Sequence, residues 1–471
     1  MRRLVLSLLL GWALVGTPLL AAEKPNILIL ITDQQHWRMM SCAGEEYVHT
    51  PAMDSIAAAG TRFSLAYAAN PVCSPSRVSM FTGYMPSRFG MKSNDQAKLP
   101  FPKSMLPQTM GHLLRRAGYE TAFGGKTHWM RGMTPESLGF RDLGRNGRDG
   151  LADVCVQFLE EPHDKPFCLV ASFINPHDIC FMAIDAHAKA TGKPAFEGAR
   201  VEREELAKAS ALPAGVSREE FFEKYCPPLP SNFAIGDDEA ECITTCFTQY
   251  RPFREYVRRN WTEEDWRMHR WAYRRLTERV DGQIGRVLGA LRRSGQDRNT
   301  VIVFTSDHGD HDSAHHLEHK SIPYEEAARV PLIVAYPPET KPGAVDEEHL
   351  VNVGLDLIPT VCDYAGADVP AGLSGRSLRA LAAGREEKAW REYVVSECKC
   401  GRMIRNDRFK YIVYESGTNR EQLFDLRNDP GELHNLAVRA EYQDTLRQMR
   451  KALAEWMVQT NDPMREAYLV R

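Results

Sequence analysis

The side chains best suited to chemistry sit in the stretch Cys73 to Gly83, CSPSRVSMFTG, and at a series of positions that follow apolar runs elsewhere in the chain. Cys73 offers a potential nucleophile, and Arg77, one helical turn further on, a permanent positive charge. The residues after Pro75 read as a helix, which puts Cys73 near a helix N-terminus, where developing negative charge is favoured. Asp33 with Gln34, Lys126 with His128, His177, and Asp307 with His308 each follow a run of strand length, and Lys320 lies in the histidine-rich loop HGDHDSAHHLEHK. Each has a plain explanation by itself. A lone cysteine is more often a small buried hydrophobe or half of a disulfide, and a lysine or histidine at a strand end is usually only solvated.

Periodicity supplies the elements that must position these groups. NILILIT (26–32) is a continuous apolar run, as expected of a parallel strand buried on both faces, and it delivers Asp33 and Gln34 at its C-terminal end. YETAFGG leads to Lys126 and His128, FCLVASFI (167–174) to Asn175, Pro176 and His177, and TVIVFTS to Asp307 and His308. Ligands of open α/β sheets bind at such strand ends. Between the strands, TPAMDSIAAAG, Met110–Ala117, RVDGQIGRVLGALRRSG and VNVGLDLIPTVCDYAG read as helices, each stopped by a glycine. A short strand is expected over Thr61–Tyr67 and another in RVPLIVAYP. Beyond residue 388, EYVVSECKC, CGRMIRNDRFK and KYIVYES read as short antiparallel strands, followed by a helix over Arg439–Val458. The fold expected is therefore α/β: a large, mixed but mostly parallel sheet sandwiched by helices, with a smaller C-terminal antiparallel sheet-plus-helix subdomain.

Length and composition agree with that picture. The chain of 471 residues is 43% hydrophobic and 26% charged, values of an ordinary globular protein with one large and one small unit. A net charge of −3 gives no global reason to bind nucleic acid or an anionic membrane, so an anionic substrate must be held by a local positive cluster. Residues 1–22 read as a signal peptide: Arg2 and Arg3, an apolar stretch from Leu4 to Leu20, then Ala21 and Ala22. Export to the periplasm or medium is expected, with no stable membrane span after its removal. The units are then 23–387, containing a variable insertion over 180–271 without long apolar runs, and 388–471. Of eleven cysteines, Cys242 and Cys246, with Cys226 nearby, are spaced for zinc; without a companion CxxC or histidine pair, disulfides or free thiols are expected instead.

The stretch at 73–83 resembles the signature of the type I sulfatases: Cys73, Pro75, Arg77 and Gly83 occupy its defining positions, and LFDLRNDPGELHNLA resembles the family's closing passage. The resemblance runs in order over nearly the whole mature chain. It implies an alkaline phosphatase-like fold and hydrolysis of sulfate esters. It also implies oxidation of Cys73 to formylglycine by a formylglycine-generating enzyme. The hydrated aldehyde attacks sulfur, and its second hydroxyl then expels the sulfate, which a serine or cysteine nucleophile has no means to do.

The same resemblance assigns Asp33, Gln34, Asp307, His308 and residue 73 to one divalent cation. Calcium is the family's usual ion; Gln34 and His308, where Asp and Asn are common, lower the negative charge and admit magnesium or manganese. Lys126 would neutralise the sulfate, Arg77 fix the diol, Lys320 or His177 serve the leaving oxygen, and His128 take the proton as sulfate is eliminated. The substrate expected is a sulfated, acidic carbohydrate. Trp261, Trp266 and Trp271 with Arg251, Arg254, Arg258 and Arg259 are candidates to contact it, although tryptophans at this spacing more often anchor helices. The alternatives are a phosphonate or phosphate monoester hydrolase of the same superfamily, a relationship suggested by the Asp33–Gln34 pair, and a choline-type small-molecule sulfatase.

Overall fold

The computed structural model describes residues 24–144, 146–193 and 198–470; the expected signal peptide lies outside them. In chain order the strands are β1 (Asn26–Asp33), β2 (Thr61–Phe63), β3 (Ala66–Tyr67), β4 (Glu120–Gly125), β5 (Arg141–Asp142), β6 (Phe167–Pro176) and β7 (Thr300–Ser306). They continue with β8 (Leu332–Ala335), β9 (Ala344–Asp346), β10 (Val351–Asn352), β11 (Val394–Cys398), β12 (Gly401–Arg405), β13 (Phe409–Tyr414) and β14 (Glu421–Asp425). Eight of them form one sheet in the order β5-β4-β6-β1-β7-β8-β2-β9. β1 runs parallel to both β6 and β7, and β4 parallel to β6. The C-terminal ends of β4, β6, β1 and β7 therefore open along one edge.

β1 shows why this sheet is central. Ile27, Ile29 and Ile31 face one core with Val78 and Phe81, while Leu28 and Leu30 face a second core with Ile284 and Val287. Strand alternation feeds both layers, so the run has to be apolar throughout. Full burial of each of these side chains contributes roughly 1.5–3 kcal/mol. The four strands β11–β14 form an antiparallel meander, and the helix Gln443–Gln459 lays Leu446, Met449, Leu453 and Met457 against it. Among the described residues no helix is long and apolar enough to cross a membrane.

Two elements differ from expectation. The strand expected over Thr61–Tyr67 is split: β2 joins the large sheet and β3 pairs with β10, because the chain turns at Ser64 and Leu65. The helix expected from about residue 279 begins at Glu263 and runs unbroken to Arg293, crossing the expected end of the insertion. Its first half hides an apolar stripe among charges: Trp266, Tyr273 and Leu276 are buried beside Arg270 and Arg274, which pair with Asp312. Trp266 and Trp271 are buried too, so they anchor this helix and present no face to a ligand.

Candidate active site

Cys73 is the first residue of the helix α2 (Cys73–Thr82), whose residues are all buried. Pro75 falls in the first turn, where a missing N–H costs no helical bond. Gly83 ends the helix at φ +74, a left-handed conformation that suits glycine, which explains the spacing of the stretch. Two serines tie α2 to the strand ends: Ser74 Oγ donates to the His128 carbonyl at 2.7 Å and Ser76 Oγ to the Asp307 carbonyl at 2.5 Å. Gly125, at φ +93, lets the chain turn tightly before Lys126, since a Cβ there would lie 2.0 Å from the Ser172 carbonyl oxygen.

Arg77 lies one turn after Cys73 on the same helix face. Its Nη2 reaches Asp33 Oδ2 at 2.9 Å and its Nε reaches Asp307 Oδ2 at 2.7 Å, while Nη1 donates to the Lys126 carbonyl and to Ser172 Oγ. All three charged groups are fully buried. The guanidinium is thus taken up by the carboxylates that flank residue 73. Burial and the Cys73 sulfur push Asp33 up, but Lys126, His177 and Arg77 outweigh them and hold it well below the carboxylate range. Asp307 is raised to about 6 by burial and by Asp33, against His308 and Arg77. Lys126 adds a second positive charge at Asp33 only, so Asp307 is left short of positive charge.

A cation fits that shortfall. One atom each of Asp33, Cys73, Asp307 and His308 lies within 4.8 Å of the others. Each carboxylate gives Oδ2 to Arg77; Asp33 Oδ1 lies 3.8 Å from the Cys73 sulfur and Asp307 Oδ1 3.6 Å from His308 Nε2. His308 Nδ1 donates to the Gly309 carbonyl at 2.8 Å, which leaves the Nε2 lone pair for a metal; Nε2 is 3.1 Å from the Cys73 sulfur. Gln34 stands beside the group in a left-handed conformation, φ +68, and its backbone N–H donates to Asp307 Oδ1 at 3.1 Å. Its side-chain oxygen takes Lys320 and the Cys180 thiol, and its Nε2 donates to Asp310 at 2.6 Å.

The remaining groups converge on the same sulfur. Lys320 Nζ is 3.2 Å from it and Lys126 Nζ 4.0 Å, with Lys126 also 2.7 Å from Asp33 Oδ2; the His128 ring bonds to the sulfur as well. His177 Nε2 is 4.0 Å from Asp33 Oδ1. Burial pushes the Cys73 thiol up, but Lys126, Lys320 and His308 outweigh it and hold the thiol well below its usual range. Burial, Lys126 and Lys320 push His177 down to about 3, so its ring is neutral near pH 7. Burial works against the charge of Lys320, yet Cys73 and Cys180 hold its pKa above the ordinary lysine value. The nine other residues expected at the site are thus gathered around residue 73.

Comparison with known proteins identifies the family. A family model described as Sulfatase matches residues 25–367, and one described as N-sulphoglucosamine sulphohydrolase, C-terminal, matches residues 313–459. The chain belongs to the sulfatase family. It is a type I sulfatase of the alkaline phosphatase-like superfamily, an enzyme that hydrolyses sulfate esters. This sulfatase is 32% identical to a Delta 4,5-hexuronate-2-O-sulfatase of Bacteroides thetaiotaomicron, over 97% of this chain and 93% of the relative. It is 28% identical to an N-acetylglucosamine-6-O-sulfatase of the same organism, over 94% and 88%. The solved structure of a 2-O GAG sulfatase superposes with a TM-score of 0.78 at 30% identity, covering 94% of each chain.

In this sulfatase a cavity of about 380 Å³ opens over the site, lined by His177 and Lys320 on one side and by Phe181, Phe253, Arg251 and Arg254 on another. A larger cavity, about 700 Å³, lies away beside His36, Asn232 and Arg329 and contains none of the catalytic groups. Of the four arginines expected to reach substrate, Arg258 pairs with Glu239 and Arg259 with Glu255; Arg251 and Arg254 line the cavity. His315 turns away from the site, toward Glu326 and Glu432, where Lys410 supplies a positive charge 2.8 Å from Glu432.

Three contributors were missed in the sequence: Asp310, Ser172 and Tyr273. Tyr273, on the long helix, donates to the Gln34 carbonyl at 2.6 Å and accepts from the His36 N–H at 2.7 Å, fixing the turn that presents Gln34. Asp310 could have been found as the second carboxylate of the HGDHD run. Nothing in the sequence signals Tyr273.

Proposed function

We propose that this sulfatase is an exported enzyme that matures by oxidation of Cys73 to formylglycine, binds one divalent cation, and removes sulfate from an acidic sugar. The cation would be held by Asp33, Asp307, His308 and residue 73, a mainly oxygen donor set suited to calcium, and it would neutralise sulfate oxygens. Gln34 completes the set once its amide oxygen is released from Lys320. The formylglycine hydrate, with an oxygen where the sulfur now stands, supplies one hydroxyl to attack sulfur and a second to expel sulfate. Lys126 binds the sulfate oxygens, and Arg77 keeps both carboxylates ionised and aimed. Between the two candidate acids, Lys320 carries the proton near neutral pH and His177 does not, so Lys320 serves the leaving oxygen and His177 donates a neutral N–H bond. His128, bonded to residue 73, accepts the proton of the second hydroxyl.

Arg254 carries the substrate reading. It lines the cavity with its Nε unpartnered, its Nη atoms 3.5 Å from Ser321 Oγ and the Glu318 carboxylate 4.0 Å away. Burial pulls its pKa down to about 10, so it stays charged at neutral pH. A buried guanidinium left so loosely paired suits a second anionic group on the substrate, and Phe181 and Phe253 suit the apolar face of a sugar ring. The 32% identical hexuronate sulfatase supports a uronate.

The test is sulfate release from defined sulfated mono- and oligosaccharides with and without a carboxylate, beside choline sulfate, aryl phosphate and phosphonate monoester. Carboxylated sugars are expected to be preferred, and Arg254→Gln to erase the preference. Cleavage of choline sulfate alone, or of phosphorus esters in preference to sulfates, would contradict this reading. Peptide mass spectrometry across residue 73 of active protein should show loss of the thiol.

A further inference from the structure

Away from residue 73, three cysteines from two units meet. Cys242 and Cys246 lie at a π-helical turn, Ile243–Thr248, in the insertion, and Cys400 lies in the hairpin between β11 and β12. Their sulfur atoms are all within 4.8 Å of one another. Cys226, nearest in sequence to the first two, is elsewhere: its thiol donates to the Arg267 carbonyl. The third member of the cluster comes from far downstream, which is why the sequence spacing pointed away from zinc.

We propose that Cys242, Cys246 and Cys400 hold one thiophilic divalent cation of the zinc class, with its fourth position open toward the substrate cavity. Three sulfurs and no oxygen select a soft or borderline cation over calcium or magnesium. Tetrahedral zinc with bonds of about 2.3 Å places its sulfurs about 3.8 Å apart, so closing the cluster takes side-chain rotation of no more than about 1 Å. Cys242 and Cys400 are buried, whereas Cys246 is half-buried and lines the cavity, which gives the open position its direction.

Charge agrees with this occupant. Three thiolates and a dication carry one net negative charge, and Lys399 interacts with both Cys400 and Cys246, with Arg251 close by. The ion would fasten the insertion to the C-terminal sheet at the cavity wall, whatever sulfate ester the enzyme cleaves.

The test uses the full-length Cys73→Ala protein, which removes the thiol from the proposed calcium ligands, loaded with cobalt(II) alone. A sulfur-to-cobalt charge-transfer band saturating at one ion per chain is expected, to be displaced by zinc and lost in the Cys73→Ala/Cys400→Ser double variant. Disulfide mapping of the unreduced Cys73→Ala protein provides a readout that needs no further variant. No such band, or a peptide cross-link joining Cys400 to Cys242 or Cys246, would overturn the proposal.

Discussion

Lys320 Nζ lies 3.2 Å from the Cys73 sulfur and, on its other side, bonds to the amide oxygen of Gln34. Among the described residues it is the ammonium that both touches the nucleophile's position and lines the cavity, which suits it to the leaving-group role proposed above. Lys320→Met is expected to lower kcat about 10²–10³-fold on sugar sulfates, the range found for removing one strong electrostatic group. The loss should be much smaller on an aryl sulfate whose leaving group needs no proton. Rate comparison on the two substrates decides: equal losses would remove Lys320 from leaving-group protonation.

Arg77 gives a prediction about stability. Arg77→Ala leaves Asp33 and Asp307 buried side by side without their shared guanidinium, and breaking such a buried pair costs about 3–5 kcal/mol. Arg77→Lys restores the charge but not the fork that reaches both carboxylates, so an intermediate loss is expected. Urea unfolding of the three proteins checks the order.

Removal of the cation should abolish turnover while leaving the fold in place, because the carboxylates still hold Arg77. Calcium is expected to restore activity better than zinc, and Asp307→Asn to weaken calcium binding at least tenfold. Calorimetric titration of the chelated protein measures both. Full activity of calcium-free protein would break the ligand assignment.

A further expectation concerns pH. Asp281 accepts the Ala52 and Met53 N–H groups at 3.1 and 2.8 Å at the start of the helix α1 (Pro51–Ala59), and burial raises its pKa from 3.8 to about 6. A carboxyl raised on folding binds its proton more tightly in the native state. Its stabilising share is therefore present below pH 4 and lost as the pH rises through 6, by no more than about 3 kcal/mol. Asp281→Asn removes that dependence, so the Tm of the variant minus that of the parent should climb between pH 4 and 6. A flat difference would refute the shift.

How much of this was legible depended on what each residue had to satisfy. NILILIT and TVIVFTS declared themselves because a parallel strand covered on both faces has to be apolar throughout, and the groups after them inherit their place from the sheet. The spacing Cys73–Arg77–Gly83 was legible because one helical turn and one left-handed stop fix it. The first half of Glu263–Arg293 was obscured because its arginines are buried by pairing with Asp312 and Glu45, partners that no local pattern reveals. Tyr273 and Cys400 were invisible for the same reason: their importance comes from residues brought beside them by the fold.

The long helix has a consequence for anyone who would transplant specificity between such enzymes. Its 31 residues make a rod of about 46 Å, with Tyr273 holding Gln34 and Ile284 and Val287 seated under β1. A chimera joined near residue 271, where the composition changes, would splice two rods out of phase and tilt the nucleophile's neighbours along with the cleft. A graft that carries the whole of Glu263–Arg293 with its borrowed wall keeps that alignment. The unit of exchange in this scaffold is the wall together with its beam.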